Sequence, residues 1–67
     1  MKRIFKVYGL NSIEDVNNVR KAIADNEGIL ACEISKEKSE VSVVFDDYFV
    51  NEDKIIECIE DKGYSVL

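Results

Sequence analysis

The sequence predicts an α+β fold in which one unit, a strand followed by a helix and a second strand, occurs twice. Short segments with alternating apolar and polar residues flank two segments whose apolar residues recur at helical spacing. Each helical segment begins with a capping residue followed by acids, and a glycine lies near its end. A chain of 67 residues is long enough for one domain, which we expect to span residues 1–67.

The first unit begins with a strand over residues 2–8, in which Phe5 and Val7 share one face. A helix is predicted to start near Ser12, because a hydroxyl residue followed by acids satisfies the free amide groups of the first turn. The buried stripe of this helix is predicted to contain Val16, Val19 and Ile23. Gly28 is predicted to end it.

The second half repeats the pattern, with strands predicted over 29–35 and 40–46 and joined by a polar hairpin connection. A second helix is predicted from the cap residue Asn51 to Gly63, and a short strand over 64–67 completes the unit. The inward-facing residues are predicted to be Leu30, Cys32, Ile34, Val41, Val43, Phe45, Ile55, Ile56 and Ile59.

Two right-handed units interlocked in this order form a ferredoxin-like βαββαβ two-layer sandwich. Its four strands make one antiparallel sheet, and both helices lie on one face of that sheet.

Composition excludes several classes of function. The net charge of −5 disfavours nucleic acid and anionic membranes as partners, and the third strand lacks the basic, glycine-containing motif of an RNA-binding sheet. Apolar runs are too short for membrane insertion, so we expect a cytoplasmic protein. The chain has no histidine and no paired nucleophile and base, so we expect neither an enzyme nor a cofactor.

Apolar residues and glycines along the whole chain match a family pattern at its own spacing. The matching residues are Phe5, Lys6, Val7, Gly9, Leu10, Asn11, Ser12, Val19, Ala22, Ile23, Gly28, Ile29, Val41, Val43, Phe45, Asp46, Ile55, Ile56, Ile59, Gly63 and Tyr64. On these residues the chain resembles a heavy-metal-associated domain. The resemblance implies a relation to copper chaperones, mercury-binding proteins and the N-terminal modules of metal-transporting P-type ATPases.

The loop that binds metal in this family reads Met-x-Cys-x-x-Cys, and its two thiolates hold a soft ion such as Cu(I). Here the segment is Leu10-Asn11-Ser12-Ile13-Glu14-Asp15, so Ser12 and Asp15 stand at the thiolate positions. Their oxygen atoms are hard donors, whereas Cu(I) is selected by sulfur. We therefore predict that the thiolate site is lost. Ser12 and Asp15 fit a helix capping box, and a weak hard-cation site with Glu14 or Asn11 is the alternative.

The two cysteines lie elsewhere in the sequence. Cys32 is predicted to lie on the apolar face of the second strand and Cys58 beside the buried stripe of the second helix. Reduced cysteine behaves as a small apolar residue, so core filling is the role we expect for both. The alternative function is a metal-binding protein or metallochaperone that uses Cys32, Cys58 or ligands shared between subunits.

With the thiolate site absent, we predict a protein-interaction surface around the same loop. Its residues are Leu10, Asn11, Ser12, Ile13, Asp15 and Tyr64. The resemblance places Tyr64 near the loop, where it is predicted to pack at the sheet edge with its hydroxyl in water. A metal-transporting P-type ATPase or another heavy-metal-associated domain is the partner that the resemblance implies. Tyr48 and Phe49 form a second candidate patch, although Phe49 or Val50 is predicted to cap the core as a hydrophobic staple.

Overall fold

The structure, a computed structural model that describes residues 1–67, contains four strands and two helices in the predicted order. The elements are β1 Lys2–Tyr8, α1 Ile13–Ala24, β2 Ile29–Ser35, β3 Glu40–Phe45, α2 Glu52–Asp61 and β4 Ser65–Val66. The strands form one antiparallel sheet in the order β2-β3-β1-β4. This is the predicted ferredoxin-like arrangement. Neither helix is long and apolar enough to cross a membrane.

The core lies between the sheet and the two helices, and it contains apolar side chains only. Its members are Phe5, Val7, Leu10, Val19, Ile23, Val41, Val43, Phe45, Val50, Ile55 and Ile59. The inward faces predicted for β1 and β3 are confirmed. Val50, which precedes the cap residue Asn51, is buried with Ile55, whereas Phe49 is 53% exposed. Val50 therefore takes the staple position at the start of α2.

The predicted inward face of β2 was wrong at one residue. The register against β3 shifts between Ile29 and Ala31, which marks a β-bulge. A bulge adds one residue to a strand and changes which side chains face the core. Ile29, Cys32 and Ile34 therefore pack against the core, whereas Leu30 is 69% exposed.

The end of α1 also differs from the prediction. The helix ends at Ala24, before Gly28, and the Asn26 side-chain amide donates to the carbonyls of Ala22 and Ile23, both at 3.2 Å. These bonds satisfy carbonyls that the last turn leaves free. The end of α2 was predicted correctly, because Gly63 follows the cap residue Lys62. Two strands are shorter than predicted. Strand β3 ends at Phe45, and β4 contains Ser65–Val66 alone.

Candidate functional site

The loop between β1 and α1 ends in a complete capping box. Ser12 has an extended backbone, and its Oγ accepts a hydrogen bond from the Asp15 amide at 3.2 Å. In return, the Ser12 amide donates to Asp15 Oδ2 at 3.1 Å. The two residues together satisfy amide groups that would otherwise be free at the start of α1. The capping role predicted for Ser12 and Asp15 is confirmed.

The Asp15 carboxylate also binds the loop that precedes the helix. Its Oδ2 atom accepts from the Asn11 amide at 3.0 Å and from Ser12 Oγ at 3.2 Å. Three donors from two consecutive residues therefore converge on one oxygen. Because backbone donors fix the path of the chain, this oxygen holds the loop against the first turn of α1.

The second oxygen of Asp15 joins the loop to the other end of the chain. Tyr64, which precedes β4, donates its hydroxyl to Asp15 Oδ1 at 2.7 Å. The Tyr64 ring lies over Gly9, where a Cβ atom would come within 3.1 Å of its Cδ1 atom. The predicted position of Tyr64 beside the loop is confirmed. The prediction that its hydroxyl lies in water was wrong, because this hydroxyl donates to Asp15. We call Ser12, Asp15 and Tyr64, with the Asn11 amide, the Asp15 network.

These bonds shift the ionisation of both side chains. The hydrogen bond from Tyr64 is the largest cause of the lowered pKa of Asp15, and the Asn11 amide comes next. Burial opposes them, and the hydroxyl and amide of Ser12 make the smallest contributions to the lowering of this pKa. The same bond to Asp15 raises the pKa of Tyr64. At neutral pH, Asp15 is therefore an anion that accepts, and Tyr64 is a neutral phenol that donates.

The apolar residues of the loop point in different directions. Leu10 is 6% exposed and belongs to the core, whereas Ile13 in the first turn of α1 is 77% exposed. Asn11 and Ser12 are exposed, and Tyr64 is half-buried. The surface available around the loop is thus formed by Asn11, Ser12, Ile13 and Tyr64. Leu10 supports it from below.

Ser12 and Asp15, which the resemblance places at the thiolate positions of the family, do not fit a Cu(I) ion. Ser12 Oγ and both oxygens of Asp15 are hard donors, and all three already take part in hydrogen bonds. No group of three or more His, Cys, Asp or Glu side chains is arranged to hold a metal ion. The same finding gives no support to the hard-cation site of Asp15 with Glu14 or Asn11.

The two cysteines are free and lie outside the loop. Cys32 packs against the margin of the core, and burial raises the pKa of its thiol, with a smaller opposing effect of Arg20. Cys58 lies outside the core, and the Asn26 side chain donates to its Sγ at 3.2 Å. The core-filling role predicted for both thus describes Cys32 better than Cys58.

Comparisons with known proteins identify relatives of the same fold. The chain is 30% identical over 66 residues to a copper chaperone CopZ of Staphylococcus haemolyticus, covering 98% of this chain and 97% of that protein. Among solved structures, a CopZ metallochaperone superposes with a TM-score of 0.97 at 28% identity over 100% of both chains. A copper-binding domain from HMA7, a P-type ATPase, has a TM-score of 0.92 at 29% identity and covers 98% of this chain and 92% of its own.

A scan against models of protein families finds none that matches the chain. Identity to the copper chaperone extends over nearly the full length of both proteins, and the fold is the same throughout. The chain therefore belongs to the heavy-metal-associated domain family, together with the CopZ copper chaperones.

Proposed function

We propose that residues 1–67 form a degenerate heavy-metal-associated domain that serves copper trafficking as a protein-interaction module, without carrying Cu(I) in its loop. The observation that carries the proposal is the Asp15 network, formed by hydrogen bonds among Ser12, Asp15 and Tyr64. The resemblance places Ser12 and Asp15 where the family has its thiolates. The relation to proteins named copper chaperones supports the link to copper trafficking.

The Asp15 network explains how the loop keeps its shape without an ion. In a loop that binds metal through two thiolates, the ion itself links the loop to the helix. Here Asp15 makes that link through donors on Asn11 and Ser12, and Tyr64 extends it to the residue before β4. The exposed Ile13 and its neighbours therefore form a defined surface in the metal-free protein. A preformed surface binds with a smaller loss of conformational entropy.

The partner in this proposal is a metal-transporting P-type ATPase or another heavy-metal-associated domain. A copper-binding domain of a P-type ATPase shares this fold, which supports the choice. The proposal includes a cytoplasmic location and a non-enzymatic role. The chain has no histidine, and no nucleophile is paired with a base in the loop.

The experiment is a titration of isotopically labelled, reduced, metal-free protein with the purified heavy-metal-associated domain of a P-type ATPase, followed by NMR. We expect the amide signals of Asn11, Ser12 and Ile13 to shift. Replacing Ile13 by Lys should weaken binding by about tenfold, because an exposed apolar side chain at the centre of a small interface contributes on the order of 1 kcal/mol or more.

The matched control is Ile4→Lys, since Ile4 is also exposed but lies on β1, away from the loop. It should leave the affinity unchanged. Binding that both variants weaken equally, or an absence of shifts in the loop, would contradict the proposed surface.

The alternative is metal binding through Cys32, Cys58 or ligands shared between subunits. Cys32 lies beside Arg20 of α1, and Cys58 lies beside Asn26, after that helix. No group of three or more His, Cys, Asp or Glu side chains includes either thiol, so a site within one chain finds no support.

A further inference from the structure

A second exposed apolar surface lies at the end of the molecule opposite the β1–α1 loop. Strand β1 runs from this end towards the loop, and the start of the chain is fixed here by a hydrogen bond from the Phe45 amide to the Met1 carbonyl at 2.8 Å. The Asp46 amide donates to the Gly28 carbonyl at 2.8 Å, which places the connection after β3 beside the start of β2. The proposed function uses no residue of this end.

The concave part of this surface is a groove of about 270 Å³ between α1 and the start of β2. Its lining residues are Arg20, Ala24, Ile29, Leu30, Ala31 and Cys32. Five of these six residues are apolar, and the bulge in β2 turns Leu30 outward to form its rim. Arg20 supplies a positive charge in a protein whose net charge is −5. The groove therefore suits an apolar side chain that is accompanied by an acid.

The convex part is a turn that carries two acids followed by two aromatic residues, Asp46 to Phe49. Tyr48 is 85% exposed, and its ring meets that of Phe49 edge to face with centroids 5.0 Å apart. The turn is ordered by two contacts. The Tyr48 amide donates to Asp46 Oδ1 at 3.0 Å, and Phe49 packs against Gly28. Tyr48 is thus held outward on a fixed support, which lowers the entropy lost when its ring is buried by a partner.

The groove and the turn are complementary in charge and in apolar character, and one chain carries both at the same end. We propose that two copies of this chain form a two-fold symmetric dimer in which Tyr48 of each copy enters the groove of the other and Asp47 faces Arg20. A two-fold axis requires a self-complementary surface. This chain meets that requirement, because the acidic and aromatic turn lies beside the apolar groove that contains Arg20. A Tyr ring next to an Arg guanidinium adds a favourable cation–π contact.

The surface area that two copies can bury against each other limits the strength of this dimer. A standard interface buries about 800 Å² on each partner, which would be about a fifth of the 4350 Å² surface of this chain. A groove and one turn provide less than that, and the like net charges of the two copies repel each other. We therefore expect a weak dimer with a dissociation constant on the order of 100 µM. The β1–α1 loop stays free in such a dimer.

The test is sedimentation equilibrium of the reduced protein in chelator from about 10 µM to about 1 mM, a range that brackets the expected dissociation constant. We expect the mass to rise towards that of a dimer. Tyr48→Ala and Leu30→Lys should each weaken association at least about tenfold, and both residues are exposed, so the fold should be preserved. Ile4→Lys, at another exposed apolar residue, which lies on β1, should change nothing.

Mixing the two variants gives the sharpest result. The Tyr48→Ala copy keeps an intact groove, and the Leu30→Lys copy keeps an intact Tyr48, so the mixture should associate more tightly than either variant alone. A protein that stays monomeric throughout the concentration range would overturn the proposal. So would a mixture no tighter than its components, or an Ile4→Lys effect as large as that of Tyr48→Ala. None of these outcomes bears on partner binding at the β1–α1 loop.

Discussion

Asp15 is the residue that most clearly separates this chain from a thiolate-bearing domain. Its carboxylate accepts from Asn11, Ser12 and Tyr64, so one side chain caps a helix, fixes a loop and contacts the residue before β4. A cysteine at the same position would accept such bonds only weakly. In the proposed function, Asp15 therefore stands in the place of a metal ligand and supplies a structural link instead.

The cap at Ser12 predicts a stability effect that is independent of metal. Ser12→Ala removes the oxygen that accepts from the Asp15 amide, and it should lower the free energy of unfolding by about 1 kcal/mol. Urea denaturation measures this change. Ser12→Asn is the matched control, because asparagine caps helices about as well as serine. Equal losses in both variants would show that the cap is not the cause.

The hydrogen bond from Tyr64 predicts a change in the pKa of Asp15. Tyr64→Phe removes the largest cause of the lowered pKa, so the pKa of Asp15 should rise towards its ordinary value of about 3.9. An NMR titration of the Asp15 carboxyl group measures the shift. Tyr8→Phe, which alters an exposed tyrosine of β1, should leave the titration unchanged.

The direction of this shift also fixes how stability depends on pH. Because the folded-state pKa of Asp15 is lowered, its contribution to stability is fully present above its unfolded-state pKa and is lost as the pH falls through the folded-state value. Asp15→Asn should therefore flatten the loss of stability below about pH 4. A variant that loses stability with acid as steeply as the parent protein would contradict the assignment.

The sequence predicts the capping box of Ser12 and Asp15, but it does not predict the hydrogen bond from Tyr64. A serine three residues before an acid is a short-range signal, and the capping box follows from it. Tyr64 lies 49 residues from Asp15. Its position near the loop came from resemblance, and its bond to Asp15 depends on side-chain geometry that no spacing rule encodes.

At the scale of elements, the turn after α1 shows where sequence patterns lose precision. Gly28 was predicted to end the helix, but its positive φ of 93° belongs to the turn that leads into β2. The side chain of Asn26, and not Gly28, provides hydrogen bonds to the last free carbonyls of α1. The bulge that exposes Leu30 follows within a few residues. A bulge depends on pairing with β3, so alternation within β2 alone gives the wrong face for Leu30.

Gly28 and Gly63 offer a matched pair of substitutions. Both have a positive φ, 93° and 94°, but a Cβ at Gly28 would lie 2.7 Å from that of Phe49, whereas Gly63 faces open space. Gly63→Ala should cost about 1 kcal/mol from backbone strain. Gly28→Ala should cost at least about 1 kcal/mol more, because Phe49 and the Asp46 carbonyl must move. Denaturant unfolding compares the two, and equal costs would argue against the packing of Phe49 on Gly28.

Taken as a whole, the molecule has a core with no polar group that calls for an ion. The buried residues are all apolar, and no buried side-chain polar atom lacks a hydrogen-bond partner. The repeated strand–helix–strand pattern was enough to predict the ferredoxin-like topology, because few chain paths satisfy two right-handed units in one sheet. The kind of partner could not be derived in this way, since a fold does not determine its function.

We propose that the stability of the fold does not depend on a metal ion, and thermal unfolding tests this. The midpoint should be the same, within about 1 °C, in buffer and in a strong chelator, since no ion contributes to the folding free energy. Circular dichroism measures the transition. A midpoint that falls by several degrees in chelator would show that a bound metal stabilises the native state.

Anaerobic competition between the reduced protein and a chromophoric Cu(I) chelator tests the proposed loss of Cu(I) binding by the loop. Cys32→Ala, Cys58→Ala and the double variant Ser12→Cys/Asp15→Cys are measured alongside. We predict that the chelator keeps its Cu(I) against the unchanged protein and both alanine variants, and loses it to the double variant, whose loop regains two thiolates. Withdrawal of Cu(I) by the unchanged protein, abolished by either alanine variant, would contradict this account and identify the chain as a metal-binding protein that uses its cysteines.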